Sequence, residues 1–288
     1  MTGAAAHLPS SRTVGLTVVA MLAFAANSIL CRLALAQGAI DPASFTLVRI
    51  ASGVATLWLI LALSGRARTV GGSWRAGFAL FAYAAAFSFA YITLPAGAGA
   101  LLLFGAVQAT MVTTGLVRGE RLARLQWLGF VAALGGLAAL LAPGVSAPPP
   151  VGASLMLAAG VAWGAYSLFG RGAADPLAAT GGNFLRALPM AAALLAAAAF
   201  AGLKGDAMGI VYAVLSGAVA SGLGYSIWYA ALPGLSPAQG ASVQLSVPVI
   251  TAIAGTLMIG EAITPRLVLS SVAILGGIAL VIGSKPRA

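Results

Sequence analysis

Three amides, Asn27, Gln108 and Gln244, stand near the centres of long apolar runs. A hydrogen-bonding side chain placed there must find its partner inside the protein or on a ligand, because no water is at hand. Aromatic residues share the same levels: Phe24 beside Asn27, Tyr83, Phe87 and Tyr91 at four-residue spacing, Phe104 before Gln108, then Trp163, Tyr166 and Tyr225. Four-residue spacing puts Tyr83, Phe87 and Tyr91 on one face of a helix. Rings and amides in this pattern can bind and orient an apolar or aromatic solute, and the pocket they imply is nearly uncharged. The amides also have a plainer use as helix–helix glue and the rings as packing, so both uses stay open at this stage. Bond-making chemistry is not expected. The chain has one histidine, one cysteine and five acids, with no acid near the centre of an apolar run, so no enzyme, metal or cofactor is anticipated. Nor is there a GxxxxGK loop to drive a pump with ATP.

The elements that must carry these residues follow from composition. The 288 residues are 61% apolar and 7% charged, with a mean hydropathy of +1.03, against roughly 45–50% and about 25% in soluble proteins. Most of the outer surface therefore faces lipid. A helix needs about 20 apolar residues to cross a bilayer, and the charges, prolines and glycines leave ten such runs, near 13–36, 42–63, 74–94, 97–117, 124–142, 151–171, 178–202, 208–231, 236–259 and 265–283. The alternating strands of a membrane barrel are missing. The expectation is an all-α membrane protein of ten transmembrane helices joined by short turns. Ala34-Leu35-Ala36 imitates a signal-peptidase site, but the run before it exceeds the roughly 7–15 residues of a signal core, so the span should be kept. Cys31 has no disulfide partner and should pack as a thiol. His7 lies in a polar tail.

The spans repeat. Phe24 to Arg32, "FAANSILCR", answers Trp163 to Arg171, "WGAYSLFGR"; "YITLP" ending at Pro95 answers "YAALP" ending at Pro233; Gly119-Glu120 answers Gly260-Glu261; and Gly135-Gly136 answers Gly276-Gly277. Four landmarks in one order, at offsets of 138 to 141, mark two copies of one unit. The division is a first repeat at 1–142, a Pro-rich connection at 143–150 and a second repeat at 151–288. Five spans per copy is an odd number, so the second copy enters the membrane inverted, the architecture of carriers with a midplane site. With the N-terminus inside, ten bases (Arg12, Arg66, Arg68, Arg75, Arg118, Arg121, Arg124, Arg171, Lys285 and Arg287) face three (Arg32, Lys204 and Arg266) across the membrane. Both termini are then cytoplasmic, in a cytoplasmic (inner) membrane. The net charge of +10 is thereby a topology signal and not a nucleic-acid surface. The expected partners are the lipid bilayer and a small solute, and the expected state is a monomer.

Glu120 and Glu261 are symmetry mates, expected to pair with nearby arginines or to accept amides at the start of the following helix. Arg49 and Arg186 lie about 10 Å inside spans 2 and 7 at 1.5 Å per residue, shallow enough to snorkel, and their mirrored positions favour an architectural role. Pro95 and Pro233 mark hinges. Pro248 cannot donate to the carbonyl of residue 244 and so kinks span 9 beside Gln244.

The ends of the halves, "LVRGERLARLQWLGFVAALGGLAAL" and "LMIGEAITPRLVLSSVAILGGIAL", with the two Leu-Pro hinges and the five-plus-five spans, resemble the drug/metabolite transporter superfamily in its ten-span, two-EamA-domain form. Within it the chain is most similar to exporters of aromatic amino acids of the YddG type. One departure is three extra residues between Pro233 and Glu261 relative to the first copy. The resemblance implies export of aromatic or other apolar amino acids by facilitated diffusion through alternating access. A broad-specificity drug or metabolite exporter and a lipid flippase or scramblase are the alternatives.

Overall fold

The computed structural model describes residues 10–66 and 71–283. His7, Arg68, Lys285 and Arg287 lie outside them. The chain forms α1 (Ser11–Ala36), α2 (Pro42–Leu63), α3 (Trp74–Ala90), α4 (Ala96–Val117), α5 (Arg124–Leu141), α6 (Pro150–Phe169), α7 (Pro176–Ala198), α8 (Ala207–Leu215), a π-helical stretch (Ser216–Leu223), α9 (Gly224–Ala231), α10 (Pro237–Gln244), α11 (Ser246–Ile259) and α12 (Pro265–Gly283). No strand occurs among the described residues, only an isolated bridge between Ile40 and Gly205. Side-chain oxygens of Ser10, Asp41, Ser73, Asp175, Asp206 and Ser236 accept the first free amides of α1, α2, α3, α7, α8 and α10, and so fix where those helices begin. At Asp41 partial burial works to raise the carboxyl pKa, but bonds from Ser44, Ala43 and Lys204 outweigh it and hold the group below its ordinary value.

Among the described residues, nine helical segments are long and apolar enough to cross a bilayer. The remaining span, α3, has 17 residues, at the lower end of the spanning range. Two spans are not the plain helices that hydropathy implies. Span 8 runs through α8, the π stretch and α9 as one element from Ala207 to Gly234, and span 9 breaks at Leu245, between α10 and α11. That break falls three residues before Pro248, as the missing donor requires.

Packing follows the repeat. Pairing α1 with α6, α2 with α7, α3 with α8–α9, α4 with α10–α11 and α5 with α12 turns nearly every major contact into another. Thus α2 packs on α7, α4 on α11 and α5 on α12; α3 packs on α6 and α7 as the span through α8 and α9 packs on α1 and α2; α4 packs on α6 as α11 packs on α1. This is what an in-plane twofold relation between inverted halves demands.

The landmarks have structural causes. Gly119 and Gly260 take φ of +90° and +75°, the left-handed turn that ends a helix cheaply only at glycine. The amides of Glu120 and Glu261 then return to the carbonyls of Gly115 and Gly255. Of each Gly-Gly pair only the second glycine is in the α5–α12 crossing: a Cβ on Gly277 would stand 2.4 Å from the Gly129 carbonyl oxygen, whereas one on Gly276 meets nothing within 4 Å. Gly277→Ala is therefore expected to destabilise the protein by about 1–3 kcal/mol through overpacking, while Gly276→Ala one residue away leaves it unchanged or raises it by about 0.5–1 kcal/mol. Thermal unfolding of the two variants in detergent checks the difference.

Candidate solute-binding site

At mid-depth, where the halves cross, Phe24, Asn27 and Ser28 of α1, Tyr83 and Phe87 of α3, Leu103, Phe104 and Val107 of α4, Trp163 of α6, Ala220 and Ser221 of the π stretch, Tyr225 of α9 and Gln244 of α10 line one cavity. Its empty space is about 510 Å³ counting the mouth. The inner part is too narrow to take a solute unless the walls part.

Trp163 is the hub of the walls, 4.6 Å from Tyr83, 5.2 Å from Tyr166 and 5.6 Å from Tyr225 between ring centroids, stacked on the last at 20°. Phe24 packs on Tyr225 at 5.6 Å, and Tyr83 on Phe87 at 5.3 Å. A polar corner interrupts the rings. Ser216 donates to Asn27 Oδ1 at 2.6 Å, a length usual for O–H···O and short for N–H···O, so Asn27 turns its Nδ2 to the Tyr83 hydroxyl at 3.4 Å. The π stretch contributes here, with Ser216 and Ser221 five residues apart on its wide turns and joined by a bond from Ser221 Oγ to the Ser216 carbonyl.

Eight of the residues singled out in sequence meet in this cavity: Phe24, Asn27, Tyr83, Phe87, Phe104, Trp163, Tyr225 and Gln244. Three do not. Gln108 lines a separate apolar crevice between α4, α5 and α12; Leu103, Phe104 and Val107 define the cavity face of α4, and one further residue turns the side chain about 100° away. Tyr91 lies beyond the end of α3, where its hydroxyl bonds the Ala96 carbonyl at 3.2 Å and its ring fills the space above Gly99. Tyr166 sits behind Trp163, 3.4 Å from Thr180 Oγ1, which in turn meets the Tyr229 hydroxyl at 2.9 Å.

The mirrored arginines differ. Arg186 is half-buried and donates to the Gly71 and Gly182 carbonyls at 2.7 and 2.9 Å, while Asn183 accepts the Ser73 amide, so together they fix the turn before α3. Arg49 does not snorkel. It is 2% exposed, lies over the rings of Tyr83 and Phe87 at 5.2 and 5.1 Å, and donates through Nη2 to the Tyr83 hydroxyl at 3.1 Å. Close approach of the π stretch to α2, with Gly217 against the Arg49 carbonyl, encloses it.

One face of the cavity is tied shut. At the end of α1, Arg32 donates to Glu261 at 2.9 Å and to the carbonyls of Tyr91 and Ile92 at 3.1 and 3.0 Å, and Glu261 also accepts the Ala96 amide at 2.7 Å. Glu261 therefore caps α4, in the other half, and not the helix that follows it in sequence. The repeat mates of these residues, Arg171 and Glu120, are both exposed and make no ion pair with each other. Glu120 lies against Gly115 without capping a helix.

Two inverted five-helix halves around a mid-depth cavity closed on one side define a membrane transporter. Residues 150–283 match the EamA-like transporter family. The chain is 59% identical over 280 residues to an uncharacterized protein of Pseudomonas aeruginosa, covering 96% of this chain and 97% of that one. It also superposes on a solved crystal structure of another protein over 95% of this chain and 98% of that one, with a TM-score of 0.66 and 19% identity, a likeness of fold. The chain belongs to the EamA-like transporter family.

The two glutamates should separate in stability. Glu261→Gln removes the charge from bonds that tie α1, α3, α4 and α11, and is expected to cost about 1.5–3 kcal/mol. Glu120→Gln, on an exposed and unpaired group, should stay within about 0.5 kcal/mol of wild type. Thermal unfolding in detergent at one pH measures both.

Proposed function

We propose that the protein exports amino acids with aromatic or other apolar side chains across the cytoplasmic membrane, by facilitated diffusion through alternating access. The observation that carries this is the central cavity, walled by rings around Trp163 and bearing the Asn27, Tyr83 and Gln244 polar groups at the crossing of two inverted halves. Rings match an apolar side chain, and the polar corner matches the amino-acid backbone. A sugar would leave most of its hydroxyls facing rings. A phosphorylated solute would ask for several convergent bases.

The distribution of Lys and Arg favours cytoplasmic termini, and on that orientation the Arg32–Glu261 tie closes the external face. In the alternative state the transposed set, Arg171, Glu120 and the start of α10, closes the cytoplasmic face while the external tie opens. The five-helix units at 1–142 and 151–288 with their 143–150 connection are the two bodies that exchange places, within one monomer. All five acids lie at helix ends or in turns, and arginine keeps its proton in this range, so no group inside the membrane is left to couple flux to protons. The solute's own gradient then drives export.

Proteoliposomes loaded with radiolabelled amino acids test this. Flux of aromatic amino acids down their gradient is expected, lost about tenfold or more in Trp163→Ala but retained in Trp127→Ala, whose side chain is 46% exposed on α5. Uphill accumulation driven by a pH gradient alone would overturn the facilitated mechanism, and movement of labelled lipid without amino-acid flux would replace the solute by a lipid.

A further inference from the structure

Arg49 has no counter-ion. The five acids of the sequence all lie within the described residues. Asp41 and Asp206 cap helices, Asp175 caps α7 and meets Arg66, Glu261 meets Arg32, and Glu120 is exposed. Arg49 Nη1 is one of two fully buried side-chain polar atoms without a hydrogen-bond partner among the described residues, the other being Thr251 Oγ1. An uncompensated guanidinium in a low-dielectric interior is costly, and the faces of Tyr83 and Phe87 offset only part of that cost. A purely architectural arginine need not bear it: Arg186, at the mirrored position, satisfies its Nη1 on two carbonyls.

The charge reaches the cavity through Tyr83. The phenolic oxygen already accepts from Arg49 Nη2 and from Asn27 Nδ2. A tyrosine hydroxyl has one proton to give, and no acceptor takes it among the described residues. One corner of the cavity therefore holds the Tyr83 O–H and the second Nδ2 hydrogen of Asn27 unspent, with a fixed positive charge directly behind them. Donors without acceptors, backed by a cation without an anion, are complementary to a carboxylate. The apolar or aromatic remainder of the solute would then lie toward Trp163, Tyr225 and Phe24.

We propose that the transported solutes are recognised by their carboxylate, which accepts from Tyr83 and Asn27 with Arg49 as the countercharge, and that the α-ammonium is dispensable. Arylalkanoic acids are then ligands alongside amino acids, and arylalkylamines are not. Arg49 is a positioning residue here, since it acts on the solute through the field and through the hydroxyl it polarises. This rests on the cavity being the transport site proposed above.

The test is inhibition of labelled phenylalanine flux in proteoliposomes by 3-phenylpropionate, phenethylamine and 3-phenylpropionamide, which share a phenyl tail and differ in the polar end. The expected result is inhibition by 3-phenylpropionate at least tenfold stronger than by the amine or the amide. Arg49→Gln should abolish that preference and Arg49→Lys should keep it. The wild-type series decides the matter alone if Arg49→Gln does not fold. Equal inhibition by acid, amine and amide in wild type, or an unchanged preference in a folded Arg49→Gln protein, overturns the countercharge and leaves the transport reading in place. Absence of any phenylalanine flux in wild type removes both.

Discussion

Inside a bilayer each polar group must be matched within the protein, and with fifteen bases to five acids this chain cannot match charge with charge throughout. Its solution is to use most acids at helix starts and to repeat the matching in both halves. Asp41 caps α2 and holds the Lys204 amide on one face; Asp175 caps α7 and holds Arg66 on the other. These contacts are equivalent under exchange of the halves and join α2 to α7 in any state that keeps the axis. They are scaffold.

Where the matching is unequal, the two halves are doing different things. Among the described residues, the tie of Arg32, Glu261 and the Ala96 amide occurs without its transposed copy. Arg186 is satisfied by carbonyls while Arg49 is left with a free Nη1. This asymmetry falls at charged residues, which lipid makes the most expensive to leave unmatched.

The helical architecture was legible because hydropathy and the four landmarks are large signals: predicted span ends fall within a few residues of the helices at nearly every boundary, as at α2 and α12. Eight cavity residues were legible because a polar or aromatic side chain at mid-span has few places to go. Gln108 and Tyr91 were misread for a local reason, since depth along a helix says nothing of azimuth, and α3 stops before Tyr91. The π stretch left only a weak trace, the small-residue run from Ser216 to Gly222, whose glycines let it press against α2 at Arg49 and Thr56. Its i+5 register puts Ser216 on Asn27 and Ser221 on the cavity wall, an arrangement invisible to a 3.6-residue period. The burial of Arg49 was missed because distance from a helix end permits snorkelling without requiring it.

The cavity and the Arg32–Glu261 tie are parts of one packed column. Tyr83 and Phe87 of α3 and Tyr91 just past its end pack in succession, at 5.3 and 4.7 Å, the second contact edge to face. The carbonyls of Tyr91 and Ile92 at the top of that column are the ones Arg32 holds, and Arg32 stands five residues beyond Asn27 on α1. Tyr83 and Asn27 on the cavity wall therefore belong to α3 and α1, the same two helices that the tie clamps to Glu261. Coupling between distant sites needs an element with two discrete arrangements that both sites bias. Under the alternating access proposed above, the Arg32–Glu261 ion pair is such an element, and densely packed interiors transmit strain between it and the cavity.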